Sequence, residues 1–289
     1  MSMSGFVFFF ILIAALMHAC WNTLLKSSPD KNLETAIANL FTSLLSLPVL
    51  IYFGLPDFQS YPYISASVIL HVLYFYMVAS AYRFGDLNLT YPVMRGLAPV
   101  ITLLFGFLLL RESIANEMVI GVLLISGGVI LLGLKRTNAS GDHVKALIFA
   151  GGNAIVIATY TITDGIGVRL SENAWSYVSL LMFLNGICLA SLTLWQRRGN
   201  GSVLSNTVLY LQERAAYPLI GGACIIGSYS LALWAMTQAP ISLVAAVRET
   251  SVLFAFLFGA AYLKESMNLF RTLGVLGICI GLILIRITQ

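Results

Sequence analysis

The chain has 289 residues, of which 59% are hydrophobic and 10% charged, with a mean hydropathy of +0.90. A soluble domain carries roughly 25% charged residues, so the composition indicates an integral membrane protein and excludes a soluble enzyme. The net charge of +4 is scattered among short loops, which argues against a nucleic-acid-binding surface.

Hydropathy predicts ten spans of roughly 20 residues, the length at which a helix rising about 1.5 Å per residue crosses about 30 Å of hydrocarbon. The first, Gly5 to Leu25, is apolar up to Ala19, but it lacks the basic n-region of a secretory signal and is read as a retained span. It carries His18, Asn22 and Lys26 at four-residue spacing with Trp21 beside them, one polar stripe that should face protein or water. His18, Trp21 and Asn22 are therefore candidates for substrate contact, and Lys26 for an interfacial anchor. The second span is Leu33 to Phe53. The third, Ile64 to Tyr82, places His71 and Tyr74 on one face.

The fourth span, Leu89 to Leu110, holds Tyr91, Pro92, Arg95, Gly96 and Pro99. Its prolines free backbone carbonyls and invite a bend beside Arg95 that could serve alternating access as a hinge. The fifth, Glu117 to Leu134, is apolar. In the sixth, Val144 to Val168, a second stripe joins Asn153, Tyr160 and Asp164, with Thr161 adjacent. The seventh runs from Ala174 to Trp195, and the connector from Gln196 to Ala216, punctuated by Gly199, Asn200 and Gly201, is the longest in the chain. The eighth, Tyr217 to Met236, offers Tyr229 and Trp234. The ninth, Ser242 to Leu263, carries Arg248 and Glu249, and the tenth is Leu269 to Ile285. Cys20, Cys188, Cys224 and Cys279 fall inside spans without metal-ligand spacing and read as packing residues.

The last spans repeat the middle of the first half. At an offset of 153, Leu104, Phe105, Gly106, Leu110, Glu112, Gly121 and Gly128 match Leu257, Phe258, Gly259, Leu263, Glu265, Gly274 and Gly281, and Arg95 matches Arg248. Five spans per half is an odd number, so the second half must enter the membrane from the opposite side. The fold class is an all-α membrane protein with two inverted five-helix repeats, residues 1–137 and 144–289, around a central cavity, a common build of secondary transporters.

Basic residues are unevenly shared among the loops. Lys26, Lys31, Arg83, Lys135, Arg136, Lys145, Arg197, Arg198, Arg214, Lys264 and Arg271 lie at odd-numbered loops, against Arg111, Arg169 and Arg286 at even loops or termini. The positive-inside rule then places both termini outside.

Several residues carry a family resemblance: His18-Ala19-Cys20-Trp21-Asn22 with Lys26, the run Tyr91-Pro92-Val93-Met94-Arg95-Gly96-Leu97-Ala98-Pro99, and the helix-closing Arg111-Glu112 and Lys264-Glu265. Together with the duplication, they resemble the drug/metabolite transporter superfamily, EamA type, over nearly the whole chain. The resemblance implies ten helices around a cavity lined largely by helices 1, 3, 4, 6, 8 and 9, with small polar metabolites as substrates. It also implies both termini in the cytoplasm, opposite to the loop charges.

Arg95 and Arg248 are the sharpest chemical signal. Each should lie roughly 7 Å from the bilayer midplane at helical rise, where an uncompensated Arg costs on the order of 3 kcal/mol. Either each snorkels to its nearer interface, or the two guanidinium forks meet a carboxylate, phosphonate or sulfonate of a passing substrate; their symmetry-related placement favours the second. Glu249 has no acidic counterpart in the first repeat, where Gly96 stands. It either takes up and releases a proton during transport or forms a permanent ion pair with Arg95 or another base. Asp164 is a second candidate for proton coupling. Tyr91, His71, Tyr74, Tyr160, Tyr229 and Trp234 would complete a site that encloses a small polar solute.

The chain has no G-x-S-x-G elbow, H-E-x-x-H pair or G-x-x-x-x-G-K-S/T loop, so neither catalysis, a metal, a cofactor nor ATP-driven transport is expected. The expected function is secondary transport, proton-coupled or by exchange, of a small anionic or zwitterionic metabolite such as an amino acid or organic acid. The alternatives are a translocator of lipid-linked head groups and a broad-specificity drug exporter. A bacterial inner membrane is the expected location and membrane lipids the surroundings, with no nucleic-acid partner. Small residues on helix faces suit a monomer or a homodimer.

Overall fold

The computed structural model describes residues 3–85, 87–133, 142–196, 203–263 and 269–288. Lys135, Arg136, Arg197, Arg198, Gly199, Asn200, Gly201, Lys264 and Glu265 lie outside the described residues. The elements are α1 (Gly5–Lys26), α2 (Lys31–Phe53), a 3-10 turn (Phe58–Ser60), α3 (Tyr61–Phe84), α4 (Leu87–Leu110), α5 (Asn116–Gly133), α6 (His143–Leu170), α7 (Ala174–Gln196), α8 (Val203–Arg214), α9 (Ala216–Gln238), α10 (Ile241–Arg248), α11 (Ser251–Leu263) and α12 (Leu269–Ile287). Among the described residues nine stretches are long and apolar enough to cross a membrane, counting Ile241–Phe258 as one, and the shorter apolar Asn116–Leu132 makes a tenth.

Helix starts follow local chemistry. Ser4, Asp30 and Asp142 each accept a hydrogen bond from the N–H three residues on, at Val7, Leu33 and Lys145, supplying donors at the helix N-terminus with the acceptor they otherwise lack. At the end of α4 Arg111 takes a left-handed backbone (φ 52°), and the chain doubles back so that the Glu112 N–H bonds the Gly106 carbonyl at 3.0 Å.

Two elements depart from the sequence reading. The long connector before α9 contains a helix, α8, because Val203–Arg214 is an unbroken run without Gly or Pro. It is anchored through Tyr210, whose hydroxyl meets Ser28 at 2.8 Å and donates to Glu34 on α2. The ninth span is also interrupted. At Glu249 and Thr250 the backbone N–H groups bond three residues back, to Ala246 and Val247, and the helix restarts at Ser251. α4, with Pro92 and Pro99 inside it, is helical throughout. The bend expected beside Arg95 would leave α4 a single helix; the helix that is interrupted carries its counterpart, Arg248.

Helix neighbours follow a two-fold pattern. α2 packs on α7 and α5 on α12, each helix against its own counterpart; α3 on α6 corresponds to α9 on α1. Along α5 and α12, Gly121 meets Gly281 and Gly128 meets Gly274. Rising numbers on one helix therefore face falling numbers on the other. The two equivalent helices are antiparallel, as inversion of the second repeat requires.

Candidate functional site

The centre of the bundle, where α4, α6 and the α10–α11 junction meet, holds a narrow cavity. Arg95, Thr102, Tyr160, Thr161, Arg248 and Glu249 line its polar part, with Ala98, Pro99, Ile157 and Ala245 between them. Arg95 sits one turn beyond Tyr91 on α4, so its guanidinium leaves the helix toward α10. Arg248 is the last residue of α10, and Glu249 the first of the tightened turn. Both arginines and the glutamate are at least nine-tenths buried.

Arg95 Nε lies 2.9 Å from Glu249 Oε2. That contact joins the first repeat to the second. The N–H does not point along it, so the charges are paired while neither atom has an aligned hydrogen bond. The other end of the Arg95 fork is 3.4 Å from His18 Nε2 and 3.5 Å from Ser251 Oγ. His18 in turn accepts a hydrogen bond at Nδ1 from the Trp21 indole at 3.3 Å.

Arg248 is held differently. Its guanidinium carbon stands 5.2 Å from the centroid of the Tyr229 ring, a cation–π contact, and its Nε has no hydrogen-bond partner. Behind that ring is Asp164, fully buried on α6, which accepts from the Tyr229 hydroxyl and, at 3.0 Å, from Tyr177 of α7. His71 of α3 stacks on Tyr160 at 4.5 Å and meets Tyr229 edge-on at 6.0 Å, while Tyr74 packs perpendicular to Tyr160. The His71 ring is turned by Ser67, with Nδ1 2.8 Å from the Ser67 carbonyl. The cavity thus has two cationic forks, one carboxylate and an aromatic wall, with a second carboxylate held by the Tyr229 and Tyr177 hydroxyls.

At the end of the bundle where α1 begins and α12 ends, two charged side chains hold the turn between α9 and α10. Glu112 accepts from the Ile241 N–H at 2.6 Å, the Ser242 N–H at 3.3 Å and the Ser242 hydroxyl, so a residue from the α4–α5 loop caps α10. Arg169, at the end of α6, donates to the Met236 and Ala239 carbonyls at 2.8 and 2.9 Å. Together they clasp the turn between α9 and α10.

The family model of the EamA-like transporter family matches the chain twice, over residues 5–134 and 144–287. The chain belongs to the EamA-like transporter family. It is thereby a multi-pass membrane transporter of the drug/metabolite transporter superfamily. A protein of known crystal structure superimposes with a TM-score of 0.73 at 14% identity, over 98% of this chain and 96% of that one, a likeness of fold. No curated protein matches the chain.

Within this EamA-type bundle, the residues singled out from sequence separate into groups. Arg95, Arg248, Glu249 and Tyr160 line the cavity, and His18, His71, Tyr74 and Tyr229 touch those residues or pack against them. Tyr91 is half-buried one turn from Arg95. Trp21 borders His18 and also lines a second, lateral cleft with Glu34 and Thr35. Asn22 turns its amide back to the His18 carbonyl at 2.8 Å, and Asn153 donates to the Met94 sulfur at 2.9 Å. Trp234 lies apart, edge-on to Phe6 and Phe10 near the start of α1.

Sequence reasoning passed over Ser251, Tyr177 and Thr102. A serine, threonine or tyrosine in an apolar helix is common enough in packing that nothing marked these three. Ser251 alone had a usable signal, its place three residues beyond Arg248.

Proposed function

We propose that the chain is a secondary carrier of a small anionic or zwitterionic metabolite, an organic or amino acid, bound between Arg95 and Arg248 and driven by proton coupling or exchange across a bacterial inner membrane. The observation that carries this reading is the pair of buried guanidinium groups whose Nε donors lack aligned acceptors. A buried donor without an acceptor costs about 1–3 kcal/mol, and more for a charged group, so a solute offering carboxylate oxygens is stabilised there. The interruption at Glu249 and Thr250 supports it, since broken helices at the repeat interface are where such carriers hold their solutes. Asp164, buried without an ion-pair partner among the described residues and bonded by two tyrosine hydroxyls, is the candidate for the coupled proton, since Glu249 is engaged by Arg95.

The test is reconstitution of the purified chain in vesicles. Labelled organic and amino acids should be taken up or exchanged without any lipid-linked substrate, and acids that are transported should raise the melting temperature. A ligand at 100 times its Kd adds about 2.7 kcal/mol. Transport only in the presence of a lipid-linked head group would overturn the proposal.

A further inference from the structure

The repeat explains why the cavity is lined by two arginines but, among the described residues, a single acid. Position 249 corresponds to position 96 in the first repeat, where glycine stands. A Cβ built on Gly96 would lie 2.5 Å from Ile130 Cγ1 and 3.0 Å from the Ser126 carbonyl oxygen, so α5 occupies the space an acidic side chain would need. Glu249 crosses to Arg95, but the mirror-image pair, Arg248 with an acid at 96, cannot form. Arg248 faces a tyrosine ring instead, and among the described residues no carboxylate lies within ion-pair distance of it. Asp164 is engaged by the Tyr229 and Tyr177 hydroxyls and, while it holds the coupled proton proposed above, adds no charge. His18 accepts from the Trp21 indole at Nδ1, so its ring carries a single proton, on Nε2, and adds no charge.

We propose that Glu249 sets the valence of the transported solute: with one of two guanidinium charges cancelled, the cavity selects a monoanion, a monocarboxylate, over a zwitterion or a dianion. The physical reason is that a charge enters a low-dielectric cavity favourably when it brings the sum there to zero, and each uncompensated charge left behind is costly. A monoanion neutralises the surplus of one, a dianion overshoots it and a zwitterion leaves it in place. This inference rests on the anion-binding reading above and narrows it.

The test uses three four-carbon probes of nearly equal size at neutral pH, butanoate, succinate and 4-aminobutanoate, with the full chain in vesicles or detergent, read by uptake and by melting temperature. Butanoate should act on the wild type at concentrations about tenfold lower than either competitor. Glu249→Gln, which leaves two positive charges, should shift preference about tenfold toward succinate, and Arg248→Gln, which leaves a neutral pair, should shift it toward 4-aminobutanoate. A wild type that prefers succinate or 4-aminobutanoate, or variants that keep the wild-type order, overturns the inference while leaving anion binding intact. Should Glu249→Gln fail to fold, the direction of the Arg248→Gln shift decides. If none of the three probes acts on the wild type, the anion-binding cavity itself is refuted, and the inference with it.

Discussion

Gly128 and Gly274, on the equivalent helices α5 and α12, approach so closely that a Cβ on Gly128 would lie 2.6 Å from the Gly274 carbonyl oxygen, and one on Gly274 2.8 Å from that of Gly128. Gly121 and Gly281 repeat the contact one step along, at 2.9 and 2.6 Å. Backbone against backbone leaves no flexible side chain to move aside. Gly128→Ala or Gly274→Ala should therefore destabilise the protein by about 1–3 kcal/mol, whereas Gly127→Ala, whose Cβ would meet nothing within 4 Å, should not. Thermal unfolding in detergent checks this, and equal melting temperatures for Gly127→Ala and Gly128→Ala would refute the close packing.

The two arginines should separate in stability while agreeing in transport. Arg95→Gln strands the buried carboxylate of Glu249 and should cost about 3–5 kcal/mol. Arg248→Gln loses a cation–π contact worth about 0.5–2 kcal/mol. Transport of the native solute should fail in both. Adding Glu249→Gln to Arg95→Gln should recover much of the lost stability, since both charges are then gone. Equal melting losses for the two single variants would show that the ion pair does not form in the folded protein.

Coupling can be assigned by a neutral isostere. Asp164→Asn cannot carry a proton but keeps a carbonyl acceptor for one of the two tyrosine hydroxyls, the other accepting from its amide. Solute exchange between vesicle interior and exterior should persist, and accumulation driven by a pH gradient should vanish. Continued accumulation in the variant would remove Asp164 from the coupling step.

Much of the architecture was legible because hydrophobic length and the offset of 153 are properties of the chain alone. Ionised groups in an apolar helix are equally visible, so Arg95, Arg248 and Glu249 stood out before their contacts were known. The interruption after Arg248 was not. Prolines mark α4, yet α4 runs through them, while the break falls at Glu249 and Thr250, where the sequence has no helix breaker and the change is a switch of backbone partners. Tyr210, which seats α8, finds its partners 176 and 182 residues away, beyond any local pattern. Trp234 looked like a cavity residue because an aromatic side chain on a membrane helix has the same appearance whether it meets a solute or, as here, Phe6 and Phe10.

Orientation is a prediction of the loop charges. In a cysteine-free background, Asp57→Cys and Glu172→Cys, in the loops on the side of the termini, should react with an impermeant thiol reagent outside intact cells, and Asp142→Cys should not. The reverse pattern would place both termini in the cytoplasm, as the family resemblance implies.

Helix α10 is eight residues long, about 12 Å, and its first N–H groups find their acceptor outside its own chain segment. Glu112 grips its first N–H groups, and its last residue, Arg248, reaches into the cavity. Such a helix behaves as a connecting rod. If solute binds Arg248 as proposed, a pull there reaches the cap at Glu112 through about two stiff turns of backbone. On the proposed binding at Arg248, recognition and the release of that end of the bundle would be two ends of a single movement.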